Sequence, residues 1–281
     1  MIDLHTHSTA SDGTLAPEAV VDLAAAQKLT ALALTDHDTL AGLPGALAQG
    51  KKRGLEIVPG VELGIQWDGG GQMHLLGYLF RADDAGLVER LGWLRDRRRE
   101  RAQRIVEKLK AAGVEISFAR VQEIAGGESI GRPHVARALM EAGVVASIGE
   151  AFGRFLSPGR PGYEDKDELT PAQAIQLIRS AGGVAVLAHP GTLKLKAGGL
   201  QRCVEELKSY GLAGLEAIWS SHSPEQVRDL QALAEKLGLI TTGGSDFHGE
   251  NKPDIQLGTG RRGNVQVPDS VLTSLRQRAQ A

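Results

Sequence analysis

Met1-Ile2-Asp3-Leu4-His5-Thr6-His7-Ser8-Thr9-Ala10-Ser11-Asp12 opens the chain. Its first half alternates apolar and polar side chains, which is the period of a β-strand. On a strand, residues i and i+2 share a face, so His5 and His7 are expected to point the same way. Asp12 follows in a Ser-Asp-Gly turn. Two imidazoles and a carboxylate gathered at a strand end read as the start of a metal site. A His-x-His pair alone also fits a solvated edge strand, and what separates the two readings is whether the pattern recurs.

It recurs. Ala31-Leu32-Ala33-Leu34 is a short apolar run that ends in Thr35-Asp36-His37-Asp38. A strand over 56–63 carries Glu62 at its end, and one over 73–80 carries His74 near its beginning. Strand 184–188 delivers His189, strand 214–219 runs into Ser-Ser-His222-Ser, and strand 239–243 ends in Gly-Gly-Ser-Asp246-Phe-His248. Helices are expected at 17–29, 40–53, 171–181, 199–210, 224–237 and 268–279, with Pro171 behind the N-cap Thr170 as one boundary signal. Strands alternating with amphipathic helices predict a parallel sheet with crossover helices, and 281 residues suffice to close it into a barrel. The turn over 68–72 is read as Gly-rich.

The alternation stops between 82 and 161. Leu87, Leu91, Leu94, Arg98, Ala102, Ile105, Leu109 and Ala112 fall at three- and four-residue spacings, predicting one long amphipathic helix. Shorter helices are expected at 118–125, 132–142 and 147–156. The expected organisation is therefore a barrel from 1–81 and 162–281, interrupted by an all-helical insert at 82–161.

The net charge of −2 excludes a generally basic nucleic-acid binder, including one for duplex DNA. One cysteine, Cys203, excludes a disulfide framework and a cysteine zinc site. No apolar run approaches the ~20 residues of a membrane helix. Met1 leads straight into the first strand, so a cytoplasmic protein is expected, with no membrane contact and no obligate protein partner evident.

His5, His7, Asp12, His37, Glu62, His74, His189, Asp246 and His248 are the candidate ligands. All but His74 sit at or just past the C-terminal end of an expected strand, the rim where parallel barrels carry their active sites. Nitrogen and oxygen donors without thiolate suit Mn²⁺, Fe²⁺ or Zn²⁺, with Mn²⁺ the first expectation. So many donors exceed what one ion takes and imply two or three ions sharing carboxylates.

Asp-Leu-His5-Thr-His7-Ser, Leu-Thr-Asp-His37-Asp, Gly-Val-Glu62, Ala-His189-Pro and Gly-Ser-Asp246-Phe-His248 resemble the successive motifs of the PHP (polymerase and histidinol phosphatase) family, over nearly the whole chain. The resemblance implies a distorted (β/α)7 barrel with a trinuclear metal centre that hydrolyses phosphoesters. Carried over motif by motif, His5, His7, Glu62 and Asp246 would hold one ion. Glu62 would bridge to a second ion held by His74 and His189, and Asp12, His37 and His248 would hold a third. Some members have His where this chain has Asp12, which makes that third site harder.

The insert is similar to that of nucleoside 3′,5′-bisphosphate phosphatases, some relatives of which act as 5′→3′ exonucleases on short RNA. The implied reaction is hydrolysis of the 3′-phosphate of an adenosine 3′,5′-bisphosphate-like nucleotide, with in-line attack by a hydroxide whose pKa the ions lower. A short 5′-phosphorylated RNA is the alternative substrate, and a histidinol-phosphate-type phosphomonoester another. An amidohydrolase would need a strand-end lysine to bridge its metals, and no strand end here supplies one. A metal-containing nucleotide- or RNA-binding scaffold is the non-enzymatic alternative.

Six arginines lie between Arg95 and Arg104. A solvated helix face explains most of them. Arg98, however, occupies the apolar stripe, where a buried charge requires an anionic partner. Arg98 and Arg101 are thus candidates to grip a substrate phosphate, as is Arg132 beside His134 at a helix start. Asp12 and His37 would also face the substrate. Helix capping is the plainer role for Arg132 and His134. His222 and His134 are candidate proton donors, with a satisfied loop histidine as the alternative for His222.

Overall fold

The computed structural model describes residues 1–280 apart from 68, 70, 71, 127, 128, 196 and 197, so most of the expected 68–72 turn lies outside the described residues. Among the described residues, seven strands form one sheet in sequence order. They are β1 (Ile2–Asp3), β2 (Ala31–Leu34), β3 (Glu56–Ile65), β4 (Met73–Tyr78), β5 (Val184–Leu187), β6 (Gly214–Trp219) and β7 (Ile240–Gly244). Beyond β1 the chain keeps pairing, with His7 N–H donating to Phe247 O (3.0 Å) and Asp246 N–H to His5 O (2.8 Å), which brings the first and last strands together. The result is the nearly closed, distorted α/β barrel expected from the motifs.

The expectation of an all-parallel sheet needs one correction. β4 runs antiparallel to both β3 and β5, whereas the remaining neighbours are parallel. A hairpin, not a crossover helix, joins β3 to β4, and a hairpin reverses direction. Reversal puts the beginning of β4 at the rim where the other strands end. That is why His74, the one candidate near a strand start, belongs with the rest.

Helices α1 (Pro17–Ala26), α2 (Leu43–Arg53), α7 (Pro171–Ser180), α8 (Gly199–Tyr210), α9 (Pro224–Leu237) and α10 (Ser270–Ala279) accompany the strands. One apolar layer, including Val20, Leu32, Leu63, Ile175 and Val204, lies between sheet and helices. A second fills the barrel from Ile2, Leu4, Val58, Leu76, Tyr78 and Val186 and is closed by Val265, Val267 and Leu275 of the C-terminal segment. Tyr78 donates to the carbonyl of Leu4 (2.8 Å), so even the barrel's aromatic hydroxyl is satisfied.

Across residues 85–156 the regular elements among the described residues are all helices, joined by short turns. They comprise α3 (Ala85–Ala111), α4 (Phe118–Ala125), α5 (Arg132–Glu141), α6 (Ile148–Ala151) and a π-turn over Phe152–Leu156. The π-turn replaces the second half of the helix expected at 147–156. At 1.5 Å per residue α3 is roughly 40 Å long, and it changes partners along its length. Leu87, Leu91 and Leu94 pack into the barrel layer. Ala102, Ile105, Val106 and Leu109 pack instead with Val121, Val135, Leu139 and Leu156 in a separate core. Between the two apolar stretches the stripe carries Arg98 and Arg101, and that turn of helix crosses above the barrel rim.

Candidate metal centre and substrate pocket

All nine candidate ligands converge on the rim, with Glu62 at the middle. Its Oε2 lies 3.3 Å from His5 Nε2, 3.2 Å from His7 Nε2 and 3.2 Å from His37 Nδ1. Its Oε1 lies 2.7 Å from His74 Nδ1 and 2.9 Å from His189 Nε2. The hairpin register explains the His74 contact: His74 faces Gly64, two residues beyond Glu62 on the same face, which makes His74 and Glu62 diagonal neighbours. Asp246 Oδ1 approaches His5, His7 and His248 at 3.6, 3.5 and 3.4 Å. Asp12 approaches His248 Nε2 at 3.3 Å, His7 at 3.7 Å and His37 at 3.9 Å.

These distances define overlapping donor groups: His7, Asp12, His37 and His248; His5, Glu62 and His189; His5, His7 and Asp246; and His37, Glu62 and His74. Several sites sharing carboxylates fit this pattern better than one. The donors themselves argue that cations complete it. Among the described residues, His5 Nε2, His7 Nε2 and His37 Nδ1 are buried without a hydrogen-bond partner, a costly arrangement that a bound cation would relieve.

Protonation points the same way. Burial alone would raise the Asp12 carboxyl, but the imidazoles of His248 and His37 hold it well below the usual carboxylate range. Glu62 is likewise held far down against burial by His37, His74 and His5. Burial pushes His7, His37 and His74 down, toward the neutral form that binds metal. His5 is the exception. Burial would lower it, but Glu216, Glu62 and Asp246 hold it well above the ordinary histidine value.

The rim backbone is strained to make this geometry. Asp38, His189 and Asp246 have φ of 52°, 24° and 58°, a region costing non-glycine residues ~1–3 kcal/mol each. Each amide is pinned by a partner: Asp38 N–H donates to Glu62 O (3.0 Å), Asp246 N–H to His5 O (2.8 Å) and His189 N–H to Glu216 Oε2 (2.7 Å).

Several of these supporting residues were not singled out in the sequence. Glu216, fully buried on β6, also accepts from His5 Nδ1 at 2.9 Å, leaving Nε2 to face the centre. A register shift at Glu216/Ile218 aims it, as bulges beside active sites do. The signal was present: a carboxylate within Gly-Leu-Glu-Ala-Ile-Trp, where every neighbour is apolar. Asp36 accepts from Ser8 N–H, Ser8 Oγ and Ser11 Oγ, and Asp3 from Ser245 and Gly258, fixing the loops that present the ligands. Asp246 Oδ2 accepts from Lys252 Nζ (2.6 Å) and Trp219 Nε1 (3.1 Å), which frees Oδ1 for the centre.

Beside the ligands lies a cavity of about 160 Å³, bounded on one side by Asp12, His37 and His74 and on the other by Arg98, Arg101, Arg132 and Lys166. Arg98 finds the anionic partner its position on the stripe demanded, pairing with Asp38. Arg101 is buried and donates through Nε and Nη2 to the Glu164 carbonyl (3.0 and 2.8 Å). Burial, together with the neighbouring charges of Arg132 and Arg98, pushes its pKa down to about 10. Arg132 Nη1 donates to Leu156 O (3.2 Å), with the guanidinium over the Phe152 ring. Among the described residues neither Arg101 nor Arg132 has a carboxylate within ion-pair distance, so both retain charge for an anion. Lys166, paired with Glu168 at 2.5 Å, is a further cation that the sequence reading passed over.

His222 and His134, the candidate proton donors, are both engaged by the backbone. His222 shares its Nδ1 proton with Ala217 O (2.9 Å), while Nε2 accepts from Gly191 N–H (3.3 Å). His134 Nδ1 accepts from Gly131 N–H (3.0 Å), capping α5, and its ring also bonds the Ser11 backbone. Among the described residues neither ring lines the metal cleft, a cavity of about 310 Å³ walled by Phe152, Trp219 and Lys252 as well as the ligands. His222 instead meets the edge of Trp219 at 5.0 Å, and Trp219 in turn lies 5.1 Å from the His189 ring.

A family model for the PHP domain matches residues 3–106. The 5′-3′ exoribonuclease Rnm of Escherichia coli is 37% identical over 258 residues, covering 91% of this chain and 87% of that protein. A 3′,5′-nucleoside bisphosphate phosphatase of Chromobacterium violaceum is 36% identical over 257 residues, covering 90% of each. A solved structure assigned as a metal-dependent phosphoesterase of Bifidobacterium adolescentis superposes with a TM-score of 0.88 at 30% identity, over 99% of this chain and 96% of that one. Another, described as an amidohydrolase of Chromobacterium violaceum with bound sulfate, gives 0.86 at 33% identity over the same shares. Barrel, rim and relatives agree, and the chain belongs to the PHP family of metal-dependent phosphoesterases.

Proposed function

We propose that the protein hydrolyses the 3′-phosphate of nucleoside 3′,5′-bisphosphates. The observation that carries this is the adjacency of two anion-binding regions, the Glu62-centred ligand cluster and the Arg98/Arg101/Arg132/Lys166 cavity, across shared walls formed by Asp12, His37 and His74. A nucleotide with one phosphate on each side of its ribose fits two such regions.

His5, His7, Asp12, His37, Glu62, His74, His189, Asp246 and His248 would hold two or three divalent ions, with Mn²⁺ our first choice and Fe²⁺ or Zn²⁺ compatible with the same donors. Such ions supply Lewis acidity and a water nucleophilic at neutral pH. The chain's own side chains position the substrate. Arg101 and Arg132 hold the 5′-phosphate, and Arg98, tied to Asp38, adds positive potential beside it. Phe152 and Trp219 wall the cleft against bulk water, and Lys252 keeps Asp246 oriented. Water adds to the 3′-phosphorus, the P–O3′ bond breaks, and the proton ends on O3′, giving a nucleoside 5′-phosphate and inorganic phosphate.

A 5′-phosphorylated short RNA presents the same pair of groups, a terminal 5′-phosphate and a 3′-linked phosphodiester. The exoribonuclease relatives favour this as a second activity of the same site. The deciding experiment measures phosphate release from adenosine 3′,5′-bisphosphate with Mn²⁺, with 3′-AMP and a 5′-phosphorylated short RNA alongside. Strong preference for the bisphosphate, abolished by chelator, is expected. Faster mononucleotide release from RNA would make it chiefly an exonuclease, and no turnover of any of the three would refute the substrate assignment.

A further inference from the structure

The arginine cavity is not a dead end. Arg101, Arg132 and Lys166 also line a second, larger cavity of about 780 Å³ on their other side, whose further walls bring Lys194, Trp67 and Tyr163. The metal cleft and the arginine cavity share ligand residues, whereas among the described residues none of the nine candidate ligands lines this outer space. The cations of the clamp therefore stand between the metal centre and an outer compartment. A 5′-phosphate held by Arg101 and Arg132 would have its non-ribose oxygens directed there.

The outer compartment has the chemistry of a binding site. Its two carboxylates, Asp165 and Glu168, are outnumbered by Arg101, Arg132, Lys166 and Lys194, and Glu168 is already engaged by Lys166. A surplus of cations beside two aromatic rings suits a further phosphoryl group carrying an organic substituent.

We infer that the site also accepts nucleoside 3′-phosphates extended at the 5′ end, that is, 5′-diphosphates with or without an organic group on the outer phosphate. It would hydrolyse their 3′-phosphate. Water adds to the 3′-phosphorus, P–O3′ breaks, and the 5′-diphosphate linkage stays intact. This rests on the bisphosphate reading above.

The test compares adenosine 3′-phosphate 5′-diphosphate with adenosine 3′,5′-bisphosphate in the wild-type holoenzyme and in Lys194→Asn. Lys194 has φ 52°, which asparagine tolerates, so the variant removes charge without straining the loop. We expect the diphosphate's kcat/KM to lie within about fivefold of the bisphosphate's. Lys194→Asn should raise KM for the diphosphate by about tenfold, the worth of one charge-assisted contact, and leave the bisphosphate unchanged. A diphosphate that is inert while the bisphosphate is turned over would overturn the inference, as would a diphosphate used equally well by wild type and Lys194→Asn. Failure of the bisphosphate itself would overturn the parent reading and this one with it.

Discussion

Replacing Glu216 with glutamine should loosen the metal centre while leaving every proposed ligand in place. Glu216 is fully buried and accepts two hydrogen bonds, from His5 Nδ1 at 2.9 Å and from the His189 amide at 2.7 Å. Glutamine keeps the shape but offers one oxygen and one NH₂, so either orientation sets a donor against a donor. The lost bond is charge-assisted and worth ~1.5–3 kcal/mol. Partners that orient a ligating imidazole typically contribute ~10–100-fold in metal affinity, about 1.4–2.7 kcal/mol. The two routes agree, and Glu216→Gln should weaken Mn²⁺ binding by ~10–100-fold. Glu216 also helps hold the His5 imidazolium above its ordinary value, so its removal eases proton competition. Calorimetric Mn²⁺ titration at mildly alkaline pH, where that competition is small, isolates the loss of orientation. Activity should recover at saturating Mn²⁺, with KM for substrate unchanged. Wild-type affinity in Glu216→Gln would refute the assignment of Glu216 as a positioning residue for His5 and His189.

Other outcomes follow from the same geometry. Arg101→Ala and Arg132→Ala should each raise KM for the 3′,5′-bisphosphate by ~10–100-fold, the value of a charge-assisted phosphate contact, and barely alter 3′-AMP. Steady-state kinetics giving equal losses on both substrates would remove the clamp from the argument. Because His5 is held above the ordinary histidine value, metal uptake near neutral pH should release a proton, read as a buffer-dependent calorimetric enthalpy. A group with a raised folded pKa stabilises the fold below its unfolded pKa and ceases to as pH rises through the folded one. Chelated protein should therefore lose stability on that alkaline side. Asp12 and Glu62, held low, contribute above the ordinary carboxylate range, and that contribution disappears as pH falls through their depressed values. Thermal melts of chelated protein showing no alkaline decline would contradict the His5 environment. Leu109→Ala, fully buried in the insert core, should cost ~2–5 kcal/mol and lower the melting temperature while leaving Mn²⁺ affinity intact.

The amino-acid sequence by itself determined the element types and the candidate ligand set. Period-2 and period-3.6 patterns depend on which neighbours share a face, a local property, so the strands, the helices and the long α3 were legible. His5, His7, His37, His189, Asp246 and His248 could be read because turns at strand ends place them on one rim whatever the details of packing. His74 was harder, since its place depends on the direction of β4, and direction is a matter of which strand it pairs with. The arginine stripe showed that Arg98 needed an anion but could not supply Asp38, sixty residues away in sequence. His222 and His134 had the right addresses for proton transfer, and only the fold showed both rings engaged by the backbone. Glu216 and Asp36 act through partners distant along the chain. Which pairs meet is decided by barrel closure and by the passage of α3 over the rim, and those depend on the packing of the whole chain at once.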